Sequence, residues 1–343
     1  MTARAPHRQN ARLRAAGPAV RAELPDGITA WSVTRGSVIR ALAGDPRISR
    51  EPRRHRPGLA AVPEGWPMGP LALQQNFFNL YGDEHRSGRR RMTPSFSPRR
   101  VAALRPGIEA TTADLVAALR DLGPDGAVDV RLALSRPLTM TVICDLFGVP
   151  ADLRPRIGGA MDIMVTTTTT TEQTAPHRAR IDVAPAELLD RKRREPGPDL
   201  ASDVAAVATG EGTGQSEQES RDTLFLMLGV GYKTAVIRRG ESILLGFGAA
   251  GRDPQLQPDR PDDFDPTRPS KEHLAFGHGP HFCLGAPLAR LKAEVALDGL
   301  FSAYPGTGLD PSRPAPARME PAVVNGPAEL WIVPEPAAAA PAP

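Results

Sequence analysis

The sequence predicts a mainly α-helical fold with small β-sheets. Three observations lead there. Apolar residues recur at helical spacing through several segments, among them 99–119, 184–194, 199–207 and 222–231. Strand-like patterns are few and short, at 28–33 and around Ile243-Leu244-Leu245. The 37 prolines and 32 glycines among 343 residues interrupt both patterns, which favours many short elements over a few long rods. No internal repeat divides the chain, so residues 21–333 are expected to form one large domain.

Taken in order, residues 1–20 read as a loose leader. A short strand at 28–33 leads into a helix through Ser37-Val38-Ile39-Arg40-Ala41-Leu42. Residues 44–80 are rich in Pro and Gly and read as loops. Helical periodicity resumes near Asp83, breaks at Pro94 and Pro98, and continues to Leu119. Another apolar segment, 130–147, ends at Gly148-Val149-Pro150. Six consecutive threonines at 166–171 disfavour a helix there, because β-branched side chains lose χ1 freedom in it. A polar linker at 210–216 precedes the apolar helix at 222–231. The tail, 334–343, holds only Pro, Ala and one Glu and is expected to be disordered.

Composition excludes several classes. With 41% hydrophobic and 24% charged residues the chain resembles an ordinary globular protein. Its longest clean apolar stretch, Leu224 to Val230, is far too short to cross a bilayer, so no membrane association is expected. The N-terminus carries charge without an apolar core behind it, unlike a secretory signal. Two cysteines, Cys144 and Cys283, give no disulfide framework, and a cytoplasmic location is the default. Cys144 lies in an apolar helical run and reads as core. The net charge of +3 is concentrated in basic clusters at 53–56, 85–91 and 99–100. They lack interleaved aromatics and any nucleic-acid-binding motif, so a solvated face is favoured over nucleic acid as a partner.

The chemistry is concentrated near the C-terminus. Phe276-Gly277-His278-Gly279-Pro280-His281-Phe282-Cys283-Leu284-Gly285 is a glycine-rich loop that delivers one cysteine to the start of a helical pattern. Its glycines allow sharp turns and close approach to a flat ligand. Peptide N–H groups and the positive helix end are expected to lower the thiol pKa of Cys283, favouring a thiolate that can bind a metal. Leu284, Leu288, Leu291 and Val295 share one helical face and are expected to pack inward beneath the loop.

This loop, with its Phe-x-x-Gly-x-x-x-Cys-x-Gly pattern, resembles the haem-binding loop of the cytochrome P450 family, in the form found in soluble bacterial members. The likeness extends to Tyr81 through Arg90 and on to Val101, which look like the helix crossing the haem edge. It extends also to Gly251-Arg252-Asp253-Pro254 and Pro261-Asp262-Asp263-Phe264-Asp265-Pro266, which resemble the meander before the cysteine loop. The resemblance implies a P450-like fold and haem b (iron protoporphyrin IX) as cofactor, with Cys283 as the iron ligand. Phe276, Gly277, Gly279 and Gly285 would shape the loop around it. At i, i+4 on a helix, His85 and Arg89 share a face suited to gripping carboxylates, and in the family such a pair binds the haem propionates, with His281 adding a contact. The implied activity is a monooxygenase inserting one oxygen atom of O2 into a small organic substrate. Electrons would come from a ferredoxin-type partner at the basic face carrying Arg86, Arg90 and Arg91.

The departures are equally specific. Val230-Gly231-Tyr232-Lys233-Thr234 matches the oxygen-site stretch of the family's central helix, with Gly231 and Thr234 in place but Lys233 where an acid belongs. Set against the family, the resemblance implies a deletion of several dozen residues near 234–236, including the Glu-x-x-Arg helix and a strand whose arginine contacts a propionate. Glu51-Pro52-Arg53-Arg54 matches Glu-x-x-Arg only by coincidence, and Asp263 stands where the family's meander arginine would fall. Two further readings therefore stay open: a non-catalytic haem-binding or accessory relative, and a degenerate remnant.

Overall fold

A computed structural model describes residues 6–24, 27–55, 76–121, 126–165, 171–209, 216–229, 235–238, 241–316 and 326–335. The first described element, α1 (Pro6–Ala16), corrects the expectation of a loose leader over residues 1–20. Its anchor is long-range and invisible to local periodicity. Arg14 donates to the Ala249 carbonyl at 2.7 Å and lies 4.0 Å from the buried Asp253 carboxylate. Arg35 in turn donates to the Arg14 carbonyl at 3.2 Å.

Strand β1 (Val20–Glu23), which the sequence did not reveal, pairs antiparallel with β2 (Thr29–Val33). Helix α2 (Gly36–Gly44) and the single turn α3 (Pro52–His55) follow. The basic helix α4 (Gly82–Met92) opens after Tyr81, with Asp83 and Glu84 in its first turn and Arg89, Arg90 and Arg91 in its last. That charge order suits the helix dipole. The segment expected as one helix to Leu119 is two, α5 (Pro98–Ala103) and α6 (Arg105–Ala118), because Pro106 in the first turn of α6 restarts the hydrogen-bond ladder.

Strand β3 (Val128–Asp129) precedes one π-helical turn at Arg131–Ser135 and α7 (Arg136–Leu146). Then come α8 (Arg154–Val165) and α9 (Thr171–Arg194), the latter starting well before the expected 184. Of the threonine run, residues 166–170 lie outside the described residues and Thr171 is the first residue of α9. Helices α10 (Leu200–Thr209) and α11 (Glu217–Gly229) complete the large helical layer. Most of the expected 210–216 linker, and residues 336–343 of the tail, lie outside the described residues.

The chain then returns to the first sheet through β4 (Ala235–Arg238) and β5 (Glu241–Leu245). The sheet order is β1-β2-β5-β4, with β2 and β5 parallel (Ala30 opposite Ser242, Val33 opposite Leu245) and β4 antiparallel to β5. After the short α12 (Phe247–Ala250) and an irregular meander, α13 (Ala286–Ala303) carries the apolar face foreseen from sequence. Strands β6 (Gly308–Leu309) and β7 (Trp331–Val333) join β3 in a second sheet of order β3-β7-β6.

Four apolar clusters hold these layers. One joins Phe77, Met92, Cys144 and Phe147 to the inward faces of α9, α10 and α11. Cys144 is buried there, and burial raises its thiol pKa, as befits an inert core residue. Leu288, Leu291 and Val295 of α13 pack on Val101, Ile108, Leu138 and Val142. Among the described residues no helix is long and apolar enough to cross a membrane.

Candidate functional site

The cysteine loop is built by backbone hydrogen bonds that close on themselves. Gly277 N–H donates to Leu274 O at 2.9 Å, Phe282 N–H to Gly279 O at 3.0 Å, and Cys283 N–H to Phe276 O at 2.9 Å. Gly277 and Gly279 both hold positive φ, 77° and 70°. At Gly279 the constraint is double, because a Cβ there would sit 2.6 Å from the Ala43 carbonyl oxygen at the end of α2. The loop is thus docked on α2 backbone to backbone. Phe276 is fixed under the Arg290 guanidinium, 4.9 Å from its ring. Gly285 would meet no clash as alanine, but its Cβ would lie 3.9 Å from Cys283 Sγ, so glycine keeps the space beside the sulfur clear.

The charge state of Cys283 differs from the expectation. Burial is the larger effect and pushes the thiol pKa up. The N–H groups of Gly285 and Ala286 and the Arg89 charge pull it down without reversing that shift. The foreseen influences are present, but burial outweighs them.

Helix α4 brings the second half of the site. Gly88 permits this, since a Cβ there would fall 2.4 Å from Phe77 Cβ. His85 is 2% exposed, its ring 3.9 Å from that of His281. Its Nε2 is buried without a hydrogen-bond partner, as is Nη1 of Arg89. Burial first, then the charges of Arg89, Arg50 and Arg86, lower the His85 pKa to about 4. Burial also lowers the pKa of Arg89, while Cys283 opposes that shift. His85, Arg89, His281 and Cys283, read from two distant motifs, therefore converge. The Arg50 charge also acts on His85, an influence missed in the sequence because Arg50 belongs to no motif and lies in a stretch read as loop.

Other sequence-derived positions fall elsewhere. Gly231, Lys233 and Thr234 lie outside the described residues. Glu51, just before α3, and Arg54 within it form a local ion pair at 3.5 Å. Asp263 pairs with Arg260 at 3.6 Å within the meander, where Arg268 donates to the carbonyls of Asp259, Arg260 and Asp263. Among the described residues no three His, Cys, Asp or Glu side chains gather as a metal site.

Comparison with known proteins decides the family. The Cytochrome P450 family model matches residues 231–328. The chain is 30% identical to 2-hydroxy-5-methyl-1-naphthoate 7-hydroxylase of Streptomyces carzinostaticus, over 95% of this chain and 94% of that protein. The chain belongs to the cytochrome P450 family. It is also 30% identical to the cytochrome P450 monooxygenase PikC of Streptomyces venezuelae, over 90% of this chain and 86% of that one. Among solved structures, CYP154A1 of Streptomyces coelicolor A3(2) superposes with a TM-score of 0.88 at 32% identity, covering 96% of this chain and 97% of the other. The helix-rich fold with small sheets is thus that of a P450.

The P450 family implies a haem cofactor, and the residues present suit one. A lone sulfur faces two backbone N–H groups, with a side-chain-free glycine beside it. Two buried donors, on His85 and Arg89, lack partners of their own and can serve carboxylates.

Proposed function

We propose that this chain is a haem-thiolate monooxygenase that inserts one oxygen atom of O2 into a small organic substrate. The single observation that carries the reading is the convergence of buried His85, half-buried Arg89, His281 and Cys283 on one spot. The cofactor would be haem b, held through Cys283 and, at its propionates, by His85, Arg89 and His281. When bound, it supplies the oxygen-activating chemistry. The N–H groups of Gly285 and Ala286 temper the charge on the sulfur, and Gly285 keeps its approach open. Without porphyrin, burial and the neighbouring cations hold His85 neutral at pH 7; beside propionates it would serve as a hydrogen-bond donor, while Arg89 would supply the charge. Gly231 and Thr234 would flank the oxygen site, with the Thr234 hydroxyl handing on protons. A ferredoxin-type partner would dock on the face of Arg86, Arg90 and Arg91, and the setting would be cytoplasmic.

One observation favours a second reading, a haem-binding relative without turnover. The alignment to the naphthoate hydroxylase runs over 387 positions, more than the 343 residues of this chain, so that relative carries residues where this one has none. This supports an internal deletion, which the sequence pattern puts near 234–236.

The test is the optical spectrum of the purified protein expressed with ample haem, reduced and exposed to carbon monoxide. A strongly red-shifted Soret band that disappears in Cys283→Ala supports thiolate ligation. Retention of that band in the variant, or no haem uptake at all, refutes the assignment. Substrate oxidation by holoprotein that gives the band separates the two readings.

A further inference from the structure

We propose that Arg290 is a positioning residue for the Cys283 sulfur and that it acts through the ring of Phe276. This rests on the haem-thiolate reading above and adds to it a residue beyond the cysteine loop, in the body of α13.

The loop is held at two ends. At one end Cys283 donates its N–H to the Phe276 carbonyl at 2.9 Å, so Phe276 sets where the backbone of the cysteine stands. At the other end the chain runs through Gly285 and Ala286, whose N–H groups act on the sulfur, into α13. Arg290, in the second turn of that helix, reaches back over the Phe276 ring, its guanidinium carbon 4.9 Å from the centroid. That contact closes a circuit from the helix behind the sulfur to the residue that holds the cysteine N–H. The same ring is flanked by His273, with centroids 5.6 Å apart, and edge-on by Phe282 at 6.4 Å. Both come from the loop or the segment before it, whereas Arg290 comes from α13.

Arg290 has no competing partner. It is exposed, and among the described residues it makes no hydrogen bond or ion pair, so the Phe276 face is what its cation meets. The cation that acts on the Cys283 thiol directly is Arg89, from α4. An influence of Arg290 on the sulfur therefore passes through Phe276. A planar guanidinium suits an aromatic face. An exposed contact of this kind is strong enough to shift a local opening equilibrium about two- to fivefold. The alternative is a solvated arginine with no role, which predicts no shift at all.

The test uses the full-length chain without haem and reads the rate at which iodoacetamide alkylates Cys283, resolved from Cys144 by peptide mass spectrometry. Arg290→Met keeps an apolar stem and removes the cation, while Arg290→Lys keeps a cation. Arg290→Met should speed alkylation of Cys283 about two- to fivefold and leave that of buried Cys144 unchanged, with Arg290→Lys near wild type. In a Phe276→Leu background Arg290→Met should add nothing. An unchanged Cys283 rate in Arg290→Met overturns the proposal. So does an equal rise at Cys144, which marks general loosening, or the same rise with leucine at 276. Should Phe276→Leu not fold by circular dichroism, the two variants at 290 decide: a rise with Met that is absent with Lys supports the proposal, and a rise with both overturns it. The alkylation is read without cofactor, whereas the carbon monoxide spectrum reads the haem assignment by itself. Absence of the red-shifted band in wild type sinks that assignment, and an unchanged alkylation rate sinks only the role of Arg290.

Discussion

The docking of the cysteine loop on α2 predicts an asymmetry between two glycines that look alike in sequence. Gly277 and Gly279 both have positive φ, so a β-carbon at either position carries the left-handed penalty of about 1–2 kcal/mol. Only Gly279 adds a collision, 2.6 Å from the Ala43 carbonyl oxygen and 3.1 Å from Gly44 Cα, both backbone atoms that cannot rotate away. A Cβ on Gly277 would meet the His281 carbonyl oxygen at an ordinary 3.7 Å. Gly279→Ala must therefore separate the loop from α2, a rearrangement of the overpacking kind worth about 1–3 kcal/mol more. Gly248→Ala, in α12 with normal φ and nothing within 4 Å, serves as a control and should be neutral or slightly stabilising. Thermal melting of the three variants beside wild type is the assay. The expected order of melting temperatures is Gly248→Ala at or above wild type, then Gly277→Ala, then Gly279→Ala well below. Equal losses at 277 and 279 would show that the loop does not press on α2, and the argument for the loop's position would fail.

Three other outcomes follow from the same geometry. The folded-state pKa of His85 lies near 4, below the unfolded value of about 6.5, so the unfolded chain binds the proton first as pH falls. Stability of the porphyrin-free protein should be lost between about pH 6.5 and 4, by at most about 3 kcal/mol, and His85→Gln should flatten this part of a urea-unfolding pH profile. Asp253→Ala should destabilise by about 2–4 kcal/mol in urea titration, because the buried carboxylate accepts from Gly36 N–H at 2.6 Å and Gln255 N–H at 3.1 Å. Tyr304→Phe should lose about 0.5–1.5 kcal/mol, since the hydroxyl donates to the Val116 carbonyl at 3.2 Å in a buried setting. Chemical denaturation resolves a loss of that size, and an unchanged midpoint would remove the bond from the account.

What the sequence disclosed followed physical range. The face of α13 was legible because Leu288, Leu291 and Val295 repeat at helical period, and they are buried together. His85 and Arg89 were legible as an i, i+4 pair, and the Cys283 loop as a cluster of glycines with a helix behind it. Features that depend on distant partners were not legible. Helix α1 is held by Arg14 reaching Ala249, more than two hundred residues away. The effect of the Arg50 charge on His85 likewise exists only in the folded chain. The pKa of Cys283 failed for the same reason: N–H donors are local and readable, whereas burial by the surrounding fold is not.

The residues assigned to the cofactor under the proposed function come from segments on either side of residues 230–234. His85 and Arg89 lie on α4, and His281 and Cys283 lie beyond the meander. Strand β4 pairs with β5 at the edge of the first sheet, and β5 pairs with β2 in turn. The residues proposed for the oxygen site, Gly231 and Thr234, belong to a separate stretch of sequence just before β4. On the proposed reading, cofactor binding and oxygen chemistry therefore draw on different stretches of this chain. Thr234→Ala should alter turnover while leaving thiolate ligation in place, whereas Gly279→Ala should act first on the cofactor.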